Sequence, residues 1–180
     1  EDPFVYYGVE RNFTVVRLPT IDTVRFGRLG FMFETLAFVS VATAWVLRHP
    51  ADVVVSRDEA ALWPLSFLKN NLIWEAHDGT WNFASRRIAR HVHALVVVSG
   101  GLKELYVQKG ISPAKIYLAP NGIDLEQFAH PVTQDESRRR LGLPLDKKIV
   151  MYIGRLDGWK GTETLFEASE HLPDDVLLVV

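Results

Sequence analysis

Arg155 and Lys160 bracket a loop at the end of an apolar run, Ile149, Val150, Met151, Tyr152 and Ile153, with Gly154 the first residue past it. A helical stretch follows at once, after Gly158 and Gly161. In an open α/β sheet, ligands gather at the carboxyl ends of strands, where the next helix presents its free N–H groups. Two cations at such a mouth suit a phosphate or a diphosphate. The spacing excludes a P-loop, because Trp159 separates Gly158 from Lys160. Gly154 and Gly158 do not complete a dinucleotide fingerprint either. The plainer alternative is a helix start with two solvated cations; the bracketing of a single strand-to-helix loop weighs against it.

A second group of reactive side chains, Glu75, His77 and Asp78, stands where the apolar run Leu72, Ile73, Trp74 gives way to Gly79. Alternation along a strand puts Glu75 and His77 on one face. A histidine beside a carboxylate can serve as acid, base or hydrogen-bond donor to a charged group. Spacing alone weighs that reading equally against His77 and Asp78 merely capping the next helix. Arg57 and Asp58 follow Ser56 at another strand end, at the same sheet edge as His77. There an ion pair of Arg57 with a neighbouring carboxylate is the favoured reading. Ser99, before Gly100 and Gly101, is an ordinary N-cap candidate in a loop that glycines open to an anion. His91 and His93 have no third ligand nearby, so no metal site is expected.

The elements that must position these residues alternate along the chain. Strands are predicted at 13–18, 52–55, 72–74, 94–98, 115–118, 149–153 and 176–180. Helices are predicted at 29–47, 60–68, 81–90, 102–109 and 162–169. Continuous apolar strands between helices indicate a parallel sheet covered on both faces. Pro120, Asn121 and Gly122 break the rhythm, and a polar stretch with Pro131, Pro144 and Asp146 follows. Residues 1–120 therefore read as a partial N-terminal domain, 121–148 as a hinge or linker, and 149–180 as the start of a second α/β domain. Glu1 stands where an initiator methionine would, and the apolar run 176–180 stops mid-strand. The expectation is a piece of a larger protein.

Bulk properties narrow the function. The 180 residues are 48% hydrophobic and 23% charged, as in an ordinary globular protein. A net charge of −2 leaves no basic excess to displace counterions, so nucleic acid is not an expected partner. Cysteine is absent, which excludes disulfides, zinc thiolates and thiol catalysis and fits a reducing cytoplasm. The run 29–47 approaches the roughly 20 apolar residues that a membrane span needs. Glu34 interrupts it, and Arg25, Arg28 and Arg48 flank both its ends. A crossover helix buried on most sides is the favoured reading.

Together the motifs resemble a known family. Val97-Val98-Ser99, Leu102-Lys103-Glu104-Leu105, the stretch Lys115-Ile116-Tyr117-Leu118-Ala119-Pro120-Asn121-Gly122-Ile123-Asp124, and Tyr152-Ile153-Gly154-Arg155-Leu156 with Lys160-Gly161 resemble the retaining GT-B glycosyltransferases of family 4. The resemblance runs from about Tyr6-Tyr7-Gly8 onward. It implies two Rossmann-like parallel-sheet domains, both incomplete in this chain. It also implies hexosyl transfer with retention, from a nucleotide-diphosphate sugar to a carbohydrate, lipid or small-molecule acceptor. The donor is a substrate, and no cofactor or metal is implied. Gly154, Arg155 and Lys160 correspond to the group that grips the donor diphosphate. His77 corresponds to the histidine placed over the donor sugar. Ser99, Glu75, Asp78, Arg57 and Asp58 remain cleft candidates.

The family's first strand with its glycine-rich loop, and its later paired glutamates, have no counterpart in these residues. The 180 residues alone are therefore expected to be inactive. A cytoplasmic location is expected, with peripheral membrane contact if the acceptor is a lipid. Two rival functions remain open, a nucleotide-sugar epimerase on the same fold and a non-catalytic GT-B-like binding partner.

Overall fold

Short runs of β-branched and apolar residues form strands, and most are followed by a stretch with helical spacing. In the computed structural model, residues 2–180 are described, the side chain of Gln127 excepted. Glu1, where the first domain was expected to begin, lies outside the described residues. The chain folds as two units, the first running to Gly122 and the second spanning Ile123–Val180.

The first unit opens with a short helix α1 (Pro3–Tyr7) and the long helix α2 (Gly27–Arg48). Then β1 (Val54–Ser56), α3 (Glu59–Leu65), β2 (Leu72–Ala76), α4 (Phe83–His91), β3 (Ala94–Val97), α5 (Gly100–Gln108) and β4 (Ile116–Leu118) alternate. The four strands pair in sequence order and all in parallel. Ser56 lies opposite Trp74, and Ala76 opposite Val97. The carboxyl ends of β1, β2 and β3 therefore open on one edge.

Caps set where the helices begin. The Asp58 carboxylate accepts from the Ala61 N–H at the start of α3. Asn82 caps α4 by accepting from the Ala84 and Ser85 N–H groups, while the Ser85 hydroxyl accepts from the Asn82 N–H. Ser99 caps α5, accepting from the Leu102 N–H at 3.3 Å. One continuous core lies behind these elements, with Leu62, Leu72, Trp74, Ile88, Leu95, Val97 and Tyr106 buried.

Three features depart from the sequence expectation. Residues 13–18 form no strand: Phe13, Val15 and Val16 are exposed, with no strand beside them among the described residues. The sheet is closed on one face only. Leu72, Trp74 and Ala76 are buried, whereas Ile73 and Glu75 on the other face are half-buried and Val55 and Tyr117 are exposed. Helix α2 accounts for part of this. It packs on α3 and on the 3-10 turn Val24–Phe26, so most of its apolar surface is exposed, and Gly30 is its one buried residue among those described. By length and composition α2 could cross a membrane.

The second unit holds a parallel pair, β5 (Lys148–Met151) and β6 (Val176–Val179), joined through α7 (Thr162–Ser169). The stretch read as a linker contains a further helix, α6 (Gln134–Arg140), capped by Thr133. Arg138 ties it to the approach to β5 by donating to the carbonyls of Pro144, Leu145 and Lys147.

The buried face of α4 is the joint between the helices and the sheet, and Ile88 at its centre is fully buried. Ile88→Ala is expected to cost about 2–5 kcal/mol of unfolding free energy. Urea denaturation of the chain followed by circular dichroism measures it.

Candidate functional site

The parallel register places Arg57, one residue past β1, and His77, one residue past β2, side by side. The Arg57 Nη2 stands 3.1 Å from His77 Nδ1. On the other side of the ring, Nε2 lies 2.6 Å from Glu75 Oε1. A guanidinium can only donate, so Nδ1 must accept and Nε2 must carry the proton that goes to Glu75. This geometry fits the Nε2–H tautomer, with both ring nitrogens engaged. Its side chain keeps 25% of its surface exposed and that of Glu75 33%, so the ring edge remains open to a ligand. The ion pair expected between Arg57 and a carboxylate is not what forms: the imidazole takes the guanidinium. Nor does His77 cap α4, since Asn82 does that.

Asp78 lies beside this string. Its carboxylate accepts from the Thr80 N–H at 2.8 Å, and Thr80 bonding holds its pKa below the ordinary carboxylate value. Tyr106, buried, donates its hydroxyl to the Asp78 carbonyl at 3.1 Å. Burial, then the nearby charges of Glu59 and Asp78, push the Tyr106 phenol well up, so it stays a donor at any physiological pH. Trp74 and Trp81 meet Tyr106 edge-on at 5.7 and 5.9 Å, which fixes the turn after β2 from below.

Glu59 was not singled out in the sequence. It sits half-buried in the first turn of α3. Burial foremost, then the charge of Asp78, raises its pKa from 4.5, and the neighbouring Asp58 adds to this; a hydrogen bond with Asn82 opposes it. An acidic residue just inside a helix start was legible, but ordinary helix chemistry explains it equally well. Asp58 and Ser99 serve as caps, with Ser99 exposed at the same strand edge.

The second unit carries the cationic loop. The Tyr152 hydroxyl donates to the Arg155 carbonyl at 2.9 Å, and this ring closes over Gly154. A Cβ at Gly154 would lie 2.8 Å from that hydroxyl. Arg155 pairs with Asp157 at 3.2 Å while its side chain is 87% exposed. Lys160 Nζ rests 4.1 Å from the centroid of the Trp159 ring. Gly161 then turns left-handed, at φ 73°, and begins α7 with no side-chain cap. The first-turn N–H groups of α7 are thus not taken by a side chain, and two cations stand just before them. Among the described residues, no three His, Asp or Glu side chains gather in a way that could hold a metal ion.

Two measurements test this geometry. In Arg57→Ala, Nδ1 loses its donor, so ¹⁵N NMR of the His77 ring should change from a single Nε2–H tautomer to a mixture. An unchanged spectrum would show that Glu75 alone holds the ring. For Glu59, a raised carboxyl pKa means that the folded state holds the proton more tightly than the unfolded chain. Its contribution is complete below pH 4.5 and is lost as pH rises through the folded value. Glu59→Gln should therefore be more stable than the parent at pH 7, with the difference vanishing below about pH 4 in urea unfolding.

Comparison with known proteins agrees with this architecture. Residues 3–127 match the model of Glycosyltransferase Family 4. Over 71 residues the chain is 42% identical to a D-inositol 3-phosphate glycosyltransferase of Xylanimonas cellulosilytica, covering 37% of this chain and 17% of that protein. It is 27% identical over 103 residues to an alpha-maltose-1-phosphate synthase of Mycolicibacterium smegmatis, covering 55% of this chain and 27% of that one. Among solved structures, HepE of Anabaena in complex with UDP-glucose superposes with a TM-score of 0.62 at 18% identity. That match covers 86% of this chain and 44% of HepE. The match in fold and the α/β sheets with parallel strands make this an incomplete GT-B architecture. With its first unit matched almost from end to end, the chain belongs to Glycosyltransferase Family 4.

Proposed function

We propose that this chain is part of a glycosyltransferase that moves a hexosyl group, with retention, from a nucleotide-diphosphate sugar to an acceptor hydroxyl. One observation carries the reading. The loop from Gly154 to Gly161 sets Arg155 and Lys160 before a helix start that no side chain caps. A diphosphate needs such a place. When the bond from the anomeric carbon to the phosphate oxygen breaks, the electron pair leaves with the phosphate, and charge grows there. Cations and oriented N–H groups aimed at that position stabilise the transition state more than the ground state.

In this reading the ring of His77 lies over the donor sugar and helps hold sugar and acceptor rather than acting as a nucleophile. Glu75 and Arg57 fix its tautomer. No metal or cofactor is assigned a role, and the donor is the substrate. HepE is described with UDP, glucose and UDP-glucose, which makes UDP-glucose the first donor to try. A cytoplasmic location accompanies the reading, because nucleotide sugars are made where thiols stay reduced.

In the protein that carries this chain, Arg155→Ala and Lys160→Ala should each lower kcat by about 10²–10³, or roughly 2–4 kcal/mol. Initial rates with UDP-glucose and a panel of acceptors read this, and unchanged rates in both variants would remove the diphosphate assignment. Product analysis separates transfer from epimerisation of the nucleotide sugar. The 180 residues by themselves should bind UDP-glucose weakly in calorimetry and transfer nothing. Robust transfer by them would overturn the expectation that further residues complete the donor site.

A further inference from the structure

Helix α4 has two sharply different sides. Ser85, Ile88 and Ala89 are buried against the core. On the opposite side Phe83, Arg86, Arg87, Arg90 and His91 line an open groove of about 460 Å³. At 3.6 residues per turn these five fall along one face of the helix. The end of α3 and the residues after it lie alongside α4. Arg87 reaches across, donating to the Ser66 hydroxyl and carbonyl at 3.1 and 3.0 Å, with its guanidinium 3.5 Å from the centroid of the Phe67 ring. The His91 ring meets the Lys69 carbonyl at 2.9 Å. These contacts tie α4 to the segment after α3.

The charge on this face has one sign. Arg86, Arg87 and Arg90 line the groove with no Asp or Glu among its lining residues, and Lys69 lies in the segment that His91 touches. With a net charge of −2 over the chain, the acids are concentrated elsewhere. Arg86 and Arg90 are exposed, and no ion pair involves either among the described residues. Large apolar side chains stand among these cations and face water. Phe83 is 76% exposed, and Trp63, Phe67 and Leu68 are exposed beside the groove.

We propose that this face docks on an anionic phospholipid surface. Cations that can reach lipid phosphates, alternating with aromatic and aliphatic side chains that enter the headgroup boundary, are what such a surface selects. Single-stranded nucleic acid fits less well. It requires open ring faces for base stacking, whereas the face of Phe67 is already covered by Arg87 and Trp63 meets Phe67 edge-on at 5.5 Å. The inference does not depend on the glycosyl-transfer reading, since vesicle binding is measured without a donor or an acceptor.

The test is co-sedimentation of the chain with vesicles of phosphatidylcholine alone and of phosphatidylcholine mixed with phosphatidylglycerol. Binding should require the anionic lipid and weaken as salt is raised. Arg86→Gln and Arg90→Gln should each lower the affinity about fivefold. Phe83→Ser should weaken it while leaving the salt dependence in place. Circular dichroism confirms that each variant is folded, and the comparison between the two lipids holds whatever the variants do. Equal binding to both vesicles would point to the apolar surface of α2 and overturn the proposal. So would unchanged binding of a folded Arg86→Gln/Arg90→Gln variant, or binding to a single-stranded oligonucleotide with none to vesicles.

Discussion

Parallel pairing of β1, β2 and β3 is the constraint on which the rest of the first unit depends. A parallel sheet sends every strand's carboxyl end to the same edge, and each strand must return through a crossover. Arg57, His77 and Ser99, far apart in the chain, therefore emerge together as the residues just past their strands. The register Ser56 opposite Trp74 brings Arg57 within reach of the His77 ring. A slip of one residue would turn Glu75 and His77 together to the other face and take the ring away from Arg57. The buried alternation of Leu72, Trp74 and Ala76 resists that slip, because it would bring Glu75 into the core.

Electrostatics at this edge follow from the same arrangement. Glu75 and Arg57 act on opposite nitrogens of one ring, so the imidazole bridges a carboxylate and a cation that do not pair directly. Asp78 and Glu59 show how closely spaced carboxylates diverge. Thr80 supplies hydrogen bonds that hold Asp78 ionised, whereas Glu59 lies partly buried beside two like charges. The two are driven apart by solvation and hydrogen bonding rather than by any difference between the side chains themselves.

Much of this was legible in the sequence, for physical reasons that differ between elements. Strands at 72–74 and 94–98 were readable because buried parallel strands need unbroken apolar runs. The run 149–153 was read the same way, although β5 ends at Met151 and is mostly exposed. Helix α7 was readable because Gly161 and the polar turn after it mark its ends. The face shared by Glu75 and His77 followed from a period of two. Residues 13–18 have the composition of a strand, but pairing is a tertiary property, and no strand lies beside them among the described residues. The length of α2 was readable and its exposure was not, since an apolar helix does not specify which surface covers it. The partner of Arg57 was missed for the same reason: a guanidinium next in sequence to Asp58 reads as half of an ion pair, yet Asp58 is committed to capping α3.

Under the proposed function, the loop of the second unit is charged and yet ready for a ligand. Arg155 is not bare, because Asp157 stands 3.2 Å away. With Arg155 so exposed, that pair contributes only about 0–1 kcal/mol. A diphosphate brings more charge than one carboxylate and more acceptor oxygens, so it can take the guanidinium from Asp157 at little cost. Lys160 needs still less rearrangement, since its contact is with the face of Trp159, which leaves the ammonium protons free to donate. The αL turn at Gly161 completes the arrangement by starting α7 without a side-chain acceptor that would compete for the same N–H groups. Weakly held cations beside an uncapped helix start are a more economical anion site than a rigid, fully paired cluster, because an incoming phosphate has no strong internal bond to break.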